Sequence, residues 1–210
     1  MTAKSKCDTA AISSTAIIAH NVVMDKKSAI GPFSVVGVES GGKTIIGEEV
    51  QIGSHVVIED DVIIGKGCFI DAYCRVCSGS IIGNYTQILY GAAIFENVRI
   101  GEKCVIGGNV ADRTLIEDYV TYFGEIAHDY RIPGDIEDWD NKVRPSPIIR
   151  ARSVVGQNAL LLGGIEIGKE AYVAAGEIVR CNVPSGHILA KGRLRKLSEL
   201  SGLIQTRSDR

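Results

Sequence analysis

The side chains best suited to acid–base, nucleophilic or metal chemistry in this 210-residue chain are four histidines and six cysteines. His128 has the most suggestive surroundings. It lies in GEIAHDYRIPGD, with Glu125 three residues before it and Asp129 directly after. An imidazole with a carboxylate in reach is the equipment of a general base, since a pKa near ~6.5 lets it take up and return a proton at neutral pH. His20 and His55 fall among polar and glycine residues and read as solvated bends, and His187, in VPSGHILAKG, reads as structural. Cys74 and Cys77 form one CxxC unit, CRVC, but no second pair follows, so neither a zinc ribbon nor a redox centre is expected.

What could hold His128 in place is legible in the stretch TIIGEEVQIGSHVVIEDDVIIGKGCFIDAYCRV. An aliphatic residue, position i, returns every sixth residue from Ile46 through Ile52, Ile58, Ile64, Ile70, Val76, Ile82, Ile88, Ile94 and Ile100 to Ile106. The same spacing links Ile12, Ile18, Met24, Ile30 and Val36, and later Ile149, Val155, Leu161, Ile167, Val173 and Val179. In a helix such residues would circle the axis, and a continuous strand would be interrupted by the glycines and acidic pairs. A short strand and a tight corner fit, with i inward, a polar pair at i+2 and i+3 turning the chain, and a small residue at i+4 filling the corner. Three hexads then close a triangular coil of 18 residues, and coils stack at ~4.8 Å. The expectation is an all-β solenoid of about eight coils over residues 12–183, with an N-terminal tail over 1–11 and a C-terminal extension over 184–210. Cys68, Cys74 and Cys104 stand at i+4 and read as small corner fillers. Leu194, Leu197, Leu200 and Leu203 have near-helical spacing, which predicts a short amphipathic helix in the extension.

Departures from the period must leave the column as loops. Val36 to Ile46 spans ten residues instead of six, which puts VESGGK outside. The phase slips by four after Ile106, resumes at Ile116 and Tyr122, and then lapses until Ile149. That last gap, an external loop over 127–147, holds the only tryptophan, Trp139, and three of the five prolines, and is read as a folded arm. Glu177 breaks the pattern differently. A carboxylate occupies an i+4 position, where it needs a partner, so that corner is expected to open into a groove or loop.

The repeat resembles the left-handed parallel β-helix of the hexapeptide-repeat acyltransferases, over residues 12 to about 192. The left hand is implied by the resemblance alone. The order GEIAHD, long loop, renewed hexads and then VAAGEIVRCNVPSGHILAKG is similar to that of the sugar and antibiotic O-acetyltransferases of the superfamily. The resemblance implies His128 as general base, with Asp129 or Glu125 orienting its ring. It also implies an acceptor site using Trp139, Tyr130 and Arg131, and acetyl-CoA as acyl donor. Gly163, Gly164, Ala174, Ala175 and Gly176 match the close approach of the donor's pantetheine arm, and Arg180, Lys191 and Arg193 match cations for its phosphates. The chain departs from the family where Thr-Lys-Asp would precede Val-Pro and reads Arg180-Cys181-Asn182, and where Gly-Asn-Pro-Ala reads Gly192-Arg193-Leu194-Arg195. A homotrimer is implied as well, since one column would leave the donor groove half built.

Charge is nearly balanced at −2, which advertises no basic nucleic-acid surface. The start MTAKSK lacks a signal-peptide core, and no apolar run approaches the ~18 residues of a membrane span, so a cytoplasmic protein is expected. The sequence supports an acyl-CoA-dependent acetyltransferase acting on a hydroxyl or amine of a sugar-like acceptor. The alternatives are a non-catalytic scaffold whose arm captures a partner, and a metalloenzyme of the γ-carbonic-anhydrase type. The latter needs three histidines on one zinc. His20, His55 and His128 are separated by 35 and 73 residues, neither a multiple of 18, and no metal is expected.

Overall fold

Each hexad folds as a strand of two or three residues followed by a corner. The computed structural model describes residues 11–37, 41–127 and 146–199. Three sets of parallel strands run along its length. The first face runs from Ala11–Ile12 through Gln51–Ile52, Gln87–Ile88 and Tyr172–Val173 to His187–Ala190. The second begins at Ile17–Ile18 and ends at Ile178–Val179, and the third runs from Val22–Met24 to Glu166–Ile167. Like residues stack in register. Ile46 pairs with Ile64, Ile64 with Ile82, and Ile82 with Ile100. Ten parallel strands on the first face mark about nine turns, one more than the period count suggests. The architecture is the three-sided parallel β-helix expected, consistent with the left hand.

The interior is built as the period requires. Ile46, Ile58, Ile64, Ile70, Ile82, Ile88 and Ile94 are all at most 2% exposed, as are the corner residues Val50, Val56, Val62, Cys68, Cys74 and Val98. Burial of each such aliphatic side chain contributes roughly 1.5–3 kcal/mol. The corners turn through left-handed backbone at i+3, where Phe33, Glu49, His55, Asp61, Tyr73, Tyr85, Asn97, Lys103 and Tyr119 all have φ between 54° and 61°. Side chains of any size are tolerated there because they project outward. On the edge between the first and second faces, Phe33, His55 and Tyr73 stack with ring centroids 5.1 and 4.9 Å apart. Hydroxyls at i+4 tie one coil to the next. Thr44 donates to the Glu59 carbonyl and accepts from the Val62 amide, and Ser80 does the same with Phe95 and Val98. The cysteines act likewise, with Cys68, Cys74 and Cys104 donating to the carbonyls of Gly83, Leu89 and Glu117 at 3.1 Å each.

The slip after Ile106 is a shortened corner, not a loop. Between the first and second faces the corner normally has four residues, but here Gly107-Gly108 alone joins Ile106 to Asn109-Val110. The next coil repeats the shortening, with Phe123-Gly124 between Tyr122 and Glu125. The two pinched corners lie in contact, since a Cβ on Gly108 would stand 1.9 Å from the Gly124 carbonyl oxygen. Asn109 and Val110 bridge Glu125 and Ile94, so the second face continues through the pinch. Tyr122 takes the place of an aliphatic in the core, fully buried, and its hydroxyl donates to the Asn109 carbonyl at 2.9 Å.

The C-terminal segment differs from the sequence expectation. The ladder runs past residue 183, because His187–Ala190 pairs in parallel with Tyr172–Val173. Arg193–Lys196 is then an antiparallel strand on His187–Ala190, and among the described residues Leu197–Glu199 forms a single 3₁₀ turn. Lys191 and Gly192 both have positive φ, 54° and 65°, which gives the two-residue hairpin turn that matches strand twist. That turn and the available sheet edge override the leucine spacing. Leu200 and Leu203 lie outside the described residues. No helix among the described residues is long and apolar enough to cross a membrane.

Candidate functional site

The interruption of the repeat, the excursion, begins after the strand Glu125–Ala127, which ends on the edge between the second and third faces, and the column resumes at Ser146. His128, Asp129, Tyr130, Arg131 and Trp139 lie outside the described residues. Glu125 is described. It occupies an outward position on its strand and is half-buried.

The strand Glu125–Ala127 pairs with Leu160–Leu162, and that strand with Ile178–Val179. This three-stranded stretch of the second face sorts the remaining candidates onto two rims. On the excursion's rim, Gly163-Gly164 and Arg180 follow directly after the second and third strands, with Gly163 buried and Gly164 exposed. On the opposite rim, Ala174, Ala175 and Gly176 form the corner leading into Ile178–Val179. A strand of two to three residues separates the rims by about 10 Å. Between them the outward side chains are Glu125, Ala127, Leu160, Leu162 and Ile178, an apolar patch with one carboxylate, and Ile178 is 47% exposed. The residues matched to the donor thus flank one patch instead of clustering on one edge.

Lys191 and Arg193 belong to the opposite rim because of Glu177. This corner is neither a loop nor a groove: the Glu177 amide donates to the Ala174 carbonyl at 3.4 Å and closes it like its neighbours. The Glu177 carboxylate reaches instead to the hairpin tip, accepting from the Lys191 amide and, at 3.1 Å, from the Gly192 amide. Sequence reasoning asked for a partner and could not supply it, because two turn amides leave no trace in residue identity.

A second outlier stands at the corner leading into the strand Leu115–Ile116. Thr114 is 0% exposed, and its hydroxyl has no hydrogen-bond partner among the described residues. In other coils the i+4 amide one coil on would donate to it, but that position is Pro147, which has no N–H. The carbonyl that would accept from it belongs to Ala127, the last residue before the excursion. Nearby, Ser146 donates to the Asp112 carbonyl at 2.6 Å.

The remaining chemistry-bearing residues do not converge. His20 and His55 sit on different edges, and the His187 ring nitrogen Nδ1 lies 2.9 Å from the Ser185 carbonyl. Cys74 and Cys77 are free thiols facing different edges. Among the described residues, Glu59, Cys77 and Glu96 could approach one metal ion. The Glu59 carboxylate, however, already holds the Arg75 guanidinium at 2.6 Å and the Ser78 amide and hydroxyl. Burial pushes the Cys77 thiol up to about 11. Cys68, Cys74 and Cys104 are raised to about 11 for the same reason.

Residues 43–78 and 61–96 match the bacterial transferase hexapeptide (six repeats) family. The chain is 30% identical over 128 residues to the bifunctional protein GlmU of Shouchella clausii, covering 59% of this chain and 28% of that protein. It is 27% identical over 186 residues to GlmU of Agrobacterium fabrum, covering 84% of this chain and 40% of that protein. The chain therefore spans less than half the length of these relatives. Among solved structures, the UDP-N-acetylglucosamine acyltransferase of Francisella novicida superposes with a TM-score of 0.68 at 20% identity, over 84% of this chain and 65% of that one. LpxA of Acinetobacter baumannii gives 0.71 at 19% identity, over 88% and 72%. The hexad and the stacked triangular coils are those of the hexapeptide repeat that the family match finds over residues 43–96, and the fold is the one these solved structures share.

Proposed function

We propose that this chain is an acyl-CoA-dependent acetyltransferase that acts on a hydroxyl or amine of a sugar or nucleotide-sugar-like acceptor. One observation carries the reading. The strand before the excursion ends at one rim of an apolar three-stranded patch whose other rim bears small residues and a basic hairpin. A thioester arm laid across the patch spans the ~10 Å between a base at the start of the excursion and cations on the hairpin. His128 takes the proton from the acceptor as its oxygen or nitrogen attacks the thioester carbonyl. The imidazolium then returns that proton to the departing thiolate. Asp129 or Glu125 holds the ring in the tautomer that leaves the accepting nitrogen free. Trp139, Tyr130 and Arg131 bind the acceptor, and a neighbouring copy in a homotrimer closes the donor groove. An acyl-CoA donor implies a cytoplasmic protein.

The test is release of free CoA from acetyl-CoA by the purified protein with a panel of sugars and nucleotide sugars. His128→Ala lowers kcat by roughly 10²–10⁴-fold with CoA affinity kept. An unchanged rate removes His128 from the mechanism. Failure to bind CoA, with no turnover on any acceptor, overturns the whole reading.

A further inference from the structure

We infer that Glu177 is a positioning residue that sets discrimination for the 3′-phosphate end of the donor, an inference resting on the reading above. Glu177 is half-buried at a corner position that small or β-branched residues fill elsewhere, as at Val56, Cys74 and Ala159. Its carboxylate bridges to the tip of the hairpin formed by His187–Ala190 and Arg193–Lys196. In a two-residue hairpin turn the amides of the central residues are left outside the strand ladder, and here both are taken up by one carboxylate. Among the described residues, the hairpin's ladder to the rest of the column runs along His187–Ala190. Arg193–Lys196 is exposed throughout and lies at the margin of its sheet.

The consequence concerns charge placement. Lys191 is the anchored residue itself, and Arg193 begins the strand one residue beyond the tip. Both therefore start from backbone fixed against the Ala174–Gly176 corner. Hydrogen bonds from amides to a carboxylate are among the stronger ones a protein makes, enough to fix an exposed two-stranded tip that would otherwise sample many positions. Glu177 also brings a negative charge towards a rim that is to meet phosphate, and its two amide bonds offset that charge where it stands. Without the anchor, Lys191 and Arg193 stay cationic but are no longer presented together, so what is lost is recognition of a phosphate at a fixed place and not general attraction to anions.

The experiment measures binding of CoA and of 3′-dephospho-CoA to the wild-type protein and to Glu177→Ala and Glu177→Gln, along with kcat at saturating donor. The expected result is a wild-type preference for CoA of about tenfold or more, lost in Glu177→Ala, with kcat changed less than about twofold. Glu177→Gln, which keeps an acceptor oxygen for the turn amides, retains most of the preference even if Glu177→Ala folds poorly. If Glu177→Ala and Glu177→Gln both discriminate like wild type, or if wild type does not distinguish the two donors, the inference is overturned while the acetyltransferase reading stands. If wild type binds neither donor, it is that reading that has failed.

Discussion

Thr114 shows how one hydroxyl responds to the loss of a single amide donor in the neighbouring coil. At Thr44 and Ser80 the same position is hydrogen-bonded in both directions and stitches coils together, whereas Thr114 is buried and unsatisfied because Pro147 offers no N–H. An unmet buried hydroxyl costs about 1–3 kcal/mol. Thr114→Val, which keeps the shape, should therefore raise stability by about 1 kcal/mol, whereas Thr44→Val should lower it by a similar amount. Urea unfolding midpoints of the two variants check the opposite signs. Thiol chemistry is also decided residue by residue. Cys68, Cys74, Cys77 and Cys104 are buried with thiols raised to about 11, and Cys181 is exposed. At pH 8, Cys181 should be alkylated and these four spared until denaturant is added, which mass mapping of the modified peptides tests. The role of Cys68, Cys74 and Cys104 as corner fillers was legible from position i+4 alone. Their hydrogen bonds to carbonyls one coil away were not, because those depend on stacking register.

The pinched corners fix the geometry just before the excursion. A methyl at Gly108 would meet backbone at 1.9 Å, whereas one at Gly91, also in a first-to-second-face corner, meets nothing within 4 Å. Gly108→Ala should cost about 3 kcal/mol or more, and Gly91→Ala, at φ 71°, only about 1 kcal/mol of backbone strain. Thermal melts of both separate close packing from strain. The sequence showed a phase slip here but could not tell an extruded loop from a shortened corner, since both remove the same aliphatic from its place in the count. The hairpin after the column was misjudged for a related reason: Leu194 and Leu197 satisfy helical spacing, yet the turn at Lys191-Gly192 and the open sheet edge select a strand. The edge between the third and first faces carries its own load of charge. Hydrogen bonds from Lys27 and Lys66 hold Glu48 down to about 2, and Arg150 holds Glu117 and Glu166 below the ordinary carboxylate value of 4.5. Because these folded-state pKa values are depressed, their stabilisation is present above about pH 4.5 and is lost as pH falls towards 2. Melting temperature should be flat from pH 7 to about 5 and then fall, and Arg150→Met should make that fall shallower.

At the scale of the whole molecule, the column was legible because one aliphatic in six is an unusual constraint that few architectures satisfy. Ile46, Ile64, Ile82 and Ile100 could be placed one above another from spacing alone, and they are. The candidate site was less legible. The excursion declares itself by interrupting the repeat, whereas the split of the donor-matched residues between two rims depends on which edge each corner occupies. That assignment shifts by a third of a turn with every hexad and is reset by the pinch.

In-register stacking has a further consequence. Because each coil rests only on those immediately above and below, the distance between the stacked rings of Phe33 and His55 and the excursion is a sum of identical steps. Excising residues 59–76 would join Ile58 to Cys77 without changing phase, bringing Ile52 over Ile88 and Ile46 over Ile82. The molecule would shorten by one step of ~4.8 Å with both of its ends unaltered. Its height is therefore a digital quantity, free to drift in whole units while the two rims beside Leu160–Leu162 stay as they are.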